Sequence, residues 1–163
     1  MTLDWQLRRN LESSLVEFLQ NQSIGVTLFF KGSDTTIDVR VGHAPQDAWK
    51  LPNISVYMDT KLAPRGFIGN NKRLPSYLMI IDVRALDDGM RSDLAEFVTD
   101  TINNGFDFFD YQPNSADPNN PIKTLSGKVS VEFVTDTPVR GVVDADAFDK
   151  YRHNISVNLT IAV

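Results

Sequence analysis

The stretch from Tyr151 to Val163 constrains this chain more than any other part of it. Tyr151, His153, Ile155, Val157, Leu159, Ile161 and Val163 alternate there with Arg152, Asn154, Ser156, Asn158, Thr160 and Ala162. A period of two is the signature of a strand with one apolar face. At ~3.3 Å per residue such a strand reaches roughly 40 Å, well past the usual five or six residues. A small domain rarely covers such a strand alone, so part of it is expected to project and pair with something else, most simply a second copy of the chain. Asn154, Ser156, Asn158 and Thr160 then become candidate subunit-interface residues. Assembly rather than catalysis is the first expectation.

The other elements follow from periodicity. Leu3, Leu7, Leu11, Leu15, Phe18 and Leu19 fall on one side of a helix at steps of three and four. Ile24 to Lys31 reads as a strand, the cluster Gly32-Ser33-Asp34 as a turn, and Ile37, Val39 and Val41 as the returning strand of a hairpin. Ile54, Val56 and Met58 form a short strand after Pro52, and Tyr77 to Val83 is apolar nearly throughout, which predicts a central strand covered on both faces. A second helix opens on the capping carboxylates of Asp87 and Asp88, carries the stripe Met90, Leu94, Phe97, Val98, Thr101 and Ile102, and ends at Gly105 as a left-handed stop. Val129, Val131 and Phe133 then alternate in a strand able to pair with the terminal one. The order predicts an α+β fold in one domain over 1–163, with two helices packed on a mainly antiparallel sheet that ends in a long C-terminal β-hairpin.

Composition removes several classes of function. The chain has 163 residues, 42 % hydrophobic and 23 % charged, ordinary for a globular chain with one core. It has no cysteine, which excludes disulfides, thiol catalysis and cysteine-ligated zinc, and only His43 and His153, which argues against a histidine-rich metal site. No secretory signal and no membrane span is read from the sequence, so a cytosolic protein is expected. A net charge of -5 argues against a dedicated nucleic-acid binder, though not against a wall that DNA slides past.

Two connections read as unusually long loops, Asp59 to Ser76 and Asp110 to Ser126, the second with Pro113, Pro118 and Pro121. The first holds Lys61, Arg65, Lys72 and Arg73 with no acid after Asp59. It reads either as a basic arm that docks on an acidic partner or touches DNA phosphates, or as a solvated loop. Phe67 and Ile68 favour docking, because apolar residues at an exposed tip cost solubility unless they are covered. Lys61, Arg65, Phe67, Ile68, Lys72 and Arg73 are therefore the candidate partner-interface residues.

Candidates for chemistry are few. Asp144, Asp146 and Asp149 invite a calcium reading, but the sixth position of such a loop would be Asp149 rather than Gly and the twelfth Ile155 rather than Glu, so turn and cap roles are preferred. Asp82, inside an apolar strand, is expected to be a buried carboxylate held by an arginine or the backbone rather than a catalytic acid. His153 shares a face with Ile155 and Val157 and reads as a hydrogen-bonded core or interface histidine, while His43 lies in a Gly-His-Ala-Pro turn. No Gly-x-Ser-x-Gly elbow or phosphate loop occurs, and the Asn-x-Ser/Thr triplets at Asn53, Asn154 and Asn158 fall in predicted strands. No catalytic, cofactor or metal residues are assigned, and the chain is not expected to be an enzyme.

The amino-terminal helix, the strand opened by Leu51-Pro52-Asn53-Ile54-Ser55-Val56, the unit from Tyr77 to Ile102 and the hairpin ending Asn154 to Ile161 together resemble the tail-terminator and neck proteins that join head and tail in tailed bacteriophages. The resemblance spans most of the chain and lies in the order and texture of elements. It implies an α+β protein of the virion, assembled in the host cytoplasm, at the tail-head junction. It implies a homo-oligomeric ring, usually a hexamer, that caps the tail tube and meets the head connector, with no cofactor, no membrane and DNA passing the lumen without specific binding. A head-completion or connector role, and a neck role touching the sheath protein, stay open beside it, as does a monomeric cytosolic binding adaptor.

Overall fold

The computed structural model describes residues 4–24, 36–42, 50–67, 70–139 and 151–162. Its elements are α1 (Asp4–Ser23), β1 (Asp38–Val41), β2 (Asn53–Phe67), β3 (Asn70–Arg84), α2 (Asp88–Ile102), β4 (Phe106–Gln112), β5 (Ile122–Val139) and β6 (Arg152–Ala162). Among the described residues the strands form one sheet in the order β1-β2-β3-β6-β5-β4. The pairing of β1 with β2 is parallel and every other pairing is antiparallel. The α+β class, the two helices and the C-terminal hairpin of β5 and β6 are as the periodicity predicts. The predicted strand from Ile24 to Lys31, and with it the first hairpin, falls almost wholly outside the described residues; its other half, β1, pairs with β2.

The core lies where the two helices meet one face of the sheet. Leu11, Leu15 and Leu19 of α1 are fully buried, as are Leu94, Val98 and Ile102 of α2. They meet Ile54 and Val56 of β2, Met79, Ile81 and Val83 of β3, and Ile155, Val157, Leu159 and Ile161 of β6, all at alternate positions. α2 packs over β3 and β6, whereas α1 touches β4 at one end of the sheet and β1 and β2 at the other, so the sheet curls about α1.

Helix α2 has the ends that its sequence predicts. The Asp87 carboxylate accepts from the Met90 N–H at 2.7 Å, and Gly105 takes φ +76° while its N–H donates to the Ile102 carbonyl at 2.8 Å. Glycine is required at this turn for a second reason: a Cβ at Gly105 would lie 2.1 Å from the Val129 carbonyl oxygen. Because backbone is the obstacle, Gly105→Ala is expected to cost about 2–3 kcal/mol, the upper part of the range for a strained left-handed residue. Thermal unfolding should show its midpoint lowered by roughly 5–10 °C. Asn, which tolerates positive φ, should rescue none of the part due to the Val129 contact.

Two predicted features are corrected. The terminal strand β6 neither projects nor forms an edge. It pairs with β3 from Arg84↔Arg152 to Ser76↔Thr160 and with β5 from Lys128↔Ala162 to Val139↔Arg152. Its length is matched by two long neighbours from its own chain, so both of its hydrogen-bonding edges are used internally. The segment Asp59 to Ser76 is not a loop either. β2 and β3 continue through it as an antiparallel ribbon, with Lys61↔Tyr77, Leu62↔Ser76, Arg65↔Leu74, Gly66↔Arg73 and Phe67↔Asn70 in register. Pro64 sits where the register slips between Leu62 and Arg65, the irregular kind of position at which a strand tolerates a residue without an N–H. The other long connection also shortens, because β4 extends to Gln112 and β5 begins at Ile122.

Candidate functional site

Three regions hold the polar chemistry of the described chain. The first is the ribbon. Among the described residues the β1 pairing stops at Val56 and the β6 pairing at Ser76, so from Leu62 to Phe67 and from Asn70 to Leu74 the two strands of the ribbon are paired with each other beyond the end of the described sheet. At ~3.3 Å per residue this extension is about 20 Å long. Arg65, Lys72 and Arg73 belong to it and Lys61 lies at its base opposite Tyr77, and 60–76 contains no acidic residue. Phe67 is the last residue of β2, and Ile68 falls outside the described residues. Of the predicted partner-interface residues, Arg65, Phe67, Lys72 and Arg73 thus share one projecting element, with Lys61 at its base.

The second region is the sheet face opposite the helices. Asp82 on β3 is 2 % exposed and lies between Ser55 of β2 and Asn154 of β6 in register. Arg152 donates to its two oxygens from Nε at 3.2 Å and Nη2 at 2.7 Å, Asn154 donates from Nδ2 at 3.0 Å, and Arg84 stands 3.6 Å away while donating to Ser55 Oγ at 3.0 Å. This is the buried, arginine-held carboxylate that the sequence predicts. Of the four predicted subunit-interface residues, Asn154 is therefore engaged within its own chain, and Ser156 donates to the Asn154 amide oxygen at 3.3 Å. Asn158 and Thr160 continue the same half-buried row. His153 points to the opposite face, is 9 % exposed, and bonds through Nε2 to the Asp136 carboxylate. That arrangement fits the predicted core histidine.

The third region was not read from the sequence. α1 presents polar side chains to the backbone of the strands at both ends of the sheet. Just past the last pair with β1, the Met58 N–H donates to Glu12 Oε1 at 2.8 Å and the Met58 carbonyl accepts from Arg8 Nη2 at 2.8 Å. At the other end the Phe109 N–H donates to Ser14 Oγ at 3.0 Å and the Tyr111 carbonyl accepts from Arg9 Nη2 at 3.3 Å. Side chains here replace a neighbouring strand, which blunts edges that otherwise invite pairing. The only sequence signal was that Asn10 and Ser14 share the apolar side of α1; both are buried, and Asn10 donates to Asp110 at 3.0 Å.

Beside these bonds a cavity of about 320 Å³ opens between α1 and the β4–β5 hairpin, lined by Glu17, Phe18, Asn21, Gly105, Phe109 and Lys123 among others. Tyr111 Oη donates to Glu17 Oε2 at 2.6 Å, Lys123 bonds the other Glu17 oxygen, and the Lys123 ammonium lies 3.8 Å from the Phe109 ring centroid. Burial pushes the Glu17 carboxyl up, but the bonds from Lys123 and Tyr111 outweigh it and leave the value below the ordinary 4.5. Burial first, and then the bond to Glu17, push the Tyr111 hydroxyl well above its usual value of 10. A depressed carboxyl stabilises the fold above pH ~4.5 and loses that contribution as pH falls through the lower folded value. Thermal melts between pH 6 and 3 should therefore show a steeper decline in the natural chain than in Glu17→Gln. The effect is modest because the Glu17 side chain is 34 % exposed.

The described residues contain no group of three or more His, Asp or Glu able to hold a metal ion, and no described helix is long and apolar enough to cross a membrane. The predicted turn carboxylates Asp144, Asp146 and Asp149, and His43, lie outside the described residues.

No family model matches the sequence, and no curated protein matches it. Among solved structures the chain is similar to a component of the "Virion of native gene transfer agent (GTA) particle", with 11 % sequence identity, 95 % of this chain and 96 % of that chain covered, and a TM-score of 0.46. At that identity and overlap the likeness speaks neither to activity nor to partners.

Proposed function

We propose that this chain is a non-enzymatic structural protein of a tailed-phage virion, a tail terminator or closely related neck component that works as a homo-oligomeric, hexameric ring. The observation that carries the reading is the basic β2–β3 ribbon, which outruns its sheet by about 20 Å. A two-stranded ribbon is at best marginal on its own in water and is stabilised when another surface covers it. β6 is interior and α1 bonds part of the outer backbone of β2 and β4, and of the described elements the ribbon is the one that leaves the sheet on both strands, which suits it to reach a neighbour. The polar row of Ser156, Asn158 and Thr160 would contribute through the sheet face rather than through a strand edge.

The mechanism is geometric. One face of the ring copies the surface that a further tail-tube ring would offer, while the other lacks it, so growth ends and the head connector docks instead. Net negative charge suits a lumen that DNA passes without adhesion. The sheath protein would be a further contact if the tail is contractile. Native mass spectrometry at micromolar concentration, with negative-stain images of the same sample, tests this. A closed ring with a central hole, or capped ends when purified tail tubes are added, supports it; neither rings nor capped tubes overturns it. Replacing 62–74 by a short turn should abolish association and leave the circular dichroism spectrum of a folded domain, because within the chain the ribbon is paired only with itself among the described residues.

A further inference from the structure

Among the carboxylates of the described residues, six held in ion pairs contrast with three on α2. Glu12, Glu17, Asp38, Asp82, Asp88 and Asp136 each face a basic side chain, namely Arg8, Lys123, Arg40, Arg152, Arg91 and His153. Asp93, Glu96 and Asp100 of α2 make no ion pair and are all exposed. At steps of three and four they occupy one stripe on the solvent side of the helix, where like charges repel. Asp100 also stands near the C-terminal end, at which the helix dipole disfavours an anion, and the last turn holds no basic residue to offset it. The helix thus carries a row of repelling charge that no described residue of its own chain pairs.

The complementary charge is on the same molecule. The ribbon has three cations along about 20 Å, a fourth, Lys61, at its base, and no anion, against roughly 10 Å for the rise from Asp93 to Asp100. We propose that the solvent face of α2 is the seat for the β2–β3 ribbon of a second copy, so that each copy donates one ribbon and receives another. The two patches differ, so the contact is head-to-tail, the kind that closes into a ring when the rotation allows. This deepens the ring reading above and rests on it. Partner charge then fixes register and speeds encounter.

The test is a charge swap. One variant carries Asp93→Lys, Glu96→Lys and Asp100→Lys; the other carries Lys61→Glu, Arg65→Glu, Lys72→Glu and Arg73→Glu. Native mass spectrometry and sedimentation at 50 and 500 mM salt read the assembly, and circular dichroism confirms folding. Asp93→Asn, Glu96→Gln, Asp100→Asn serves as a neutral control, which should keep the helix intact and weaken association. Each reversed variant alone should associate at least about tenfold more weakly than the natural chain. An equimolar mixture of the two should reassemble, with the species alternating, and the chain carrying both reversals should assemble by itself. Rings that survive the α2 reversal but not the ribbon reversal overturn the proposed seat and leave the ring reading standing. Folded variants that fail to reassemble on mixing overturn the pairing. A natural chain that stays monomeric at every concentration in 50 mM salt also overturns it, and tube capping alone then decides the ring reading.

Discussion

Removing residues from Asn158 onward is expected to unfold the protein rather than merely disassemble it. Leu159 and Ile161 are fully buried, each worth about 1.5–3 kcal/mol of apolar burial. Leu159 pairs with Tyr77 of β3 and Val131 of β5, and Ile161 with Val129 of β5. The truncation opens the middle of the sheet, and its cost is of the order of the whole margin of ~5–15 kcal/mol on which a domain of this size rests. Circular dichroism and limited proteolysis should find a truncated chain that is unfolded or molten. A truncated chain that kept a cooperative melt and lost only association would mean that β6 behaves as a projecting edge after all. The experiment separates the terminal strand as core from the terminal strand as arm, which alternation alone could not do.

Asp82→Ala is expected to cost about 3 kcal/mol, seen as a fall in the urea midpoint with unchanged m-value. The substitution takes away the carboxylate shared by Arg152, Arg84 and Asn154 in the interior of a three-strand ladder. Breaking one partner of a buried pair typically costs 3–5 kcal/mol, and the lower end applies because the Arg152 side chain keeps 29 % of its exposure. Asp82→Asn should cost less, since an amide still accepts from Asn154 or Arg152. A double variant with Arg152→Leu should be more stable than the sum of the two single changes implies, because the cation left behind by the first is absent in the second. An Asp82→Ala chain as stable as the natural one would remove the structural role assigned to this carboxylate.

The candidate interaction surfaces show where sequence reasoning reached and where it stopped. Local signals were reliable when a few neighbouring residues settle the geometry: Asp87 and Gly105 at the ends of α2, the apolar faces of α1 and β3, the buried setting of Asp82. β4 was also within reach, since Phe106, Asp107 and Phe108 alternate buried and exposed, but no element is read from the sequence over 106–109 and the prolines downstream place Asp110 to Gln112 in a loop. The ribbon was harder to see. Pro64, Gly66 and Pro75 break the alternation, and the stretch lies beyond the strands that would impose one buried face on it.

The sequence by itself determined the class of fold, the helix ends, the strand faces and the concentration of basic residues in 61–73, because each depends on spacing within a few residues. Beyond the pairing of β5 with β6, the tertiary structure alone decided which strands lie beside which. A period of two is the same for an interior strand and an edge strand, since it reports faces and not neighbours. Only the chain path, which lays β3 and β5 along both sides of β6 and sends β2 and β3 on past its end, converts the terminal strand into core and the basic segment into the projecting arm.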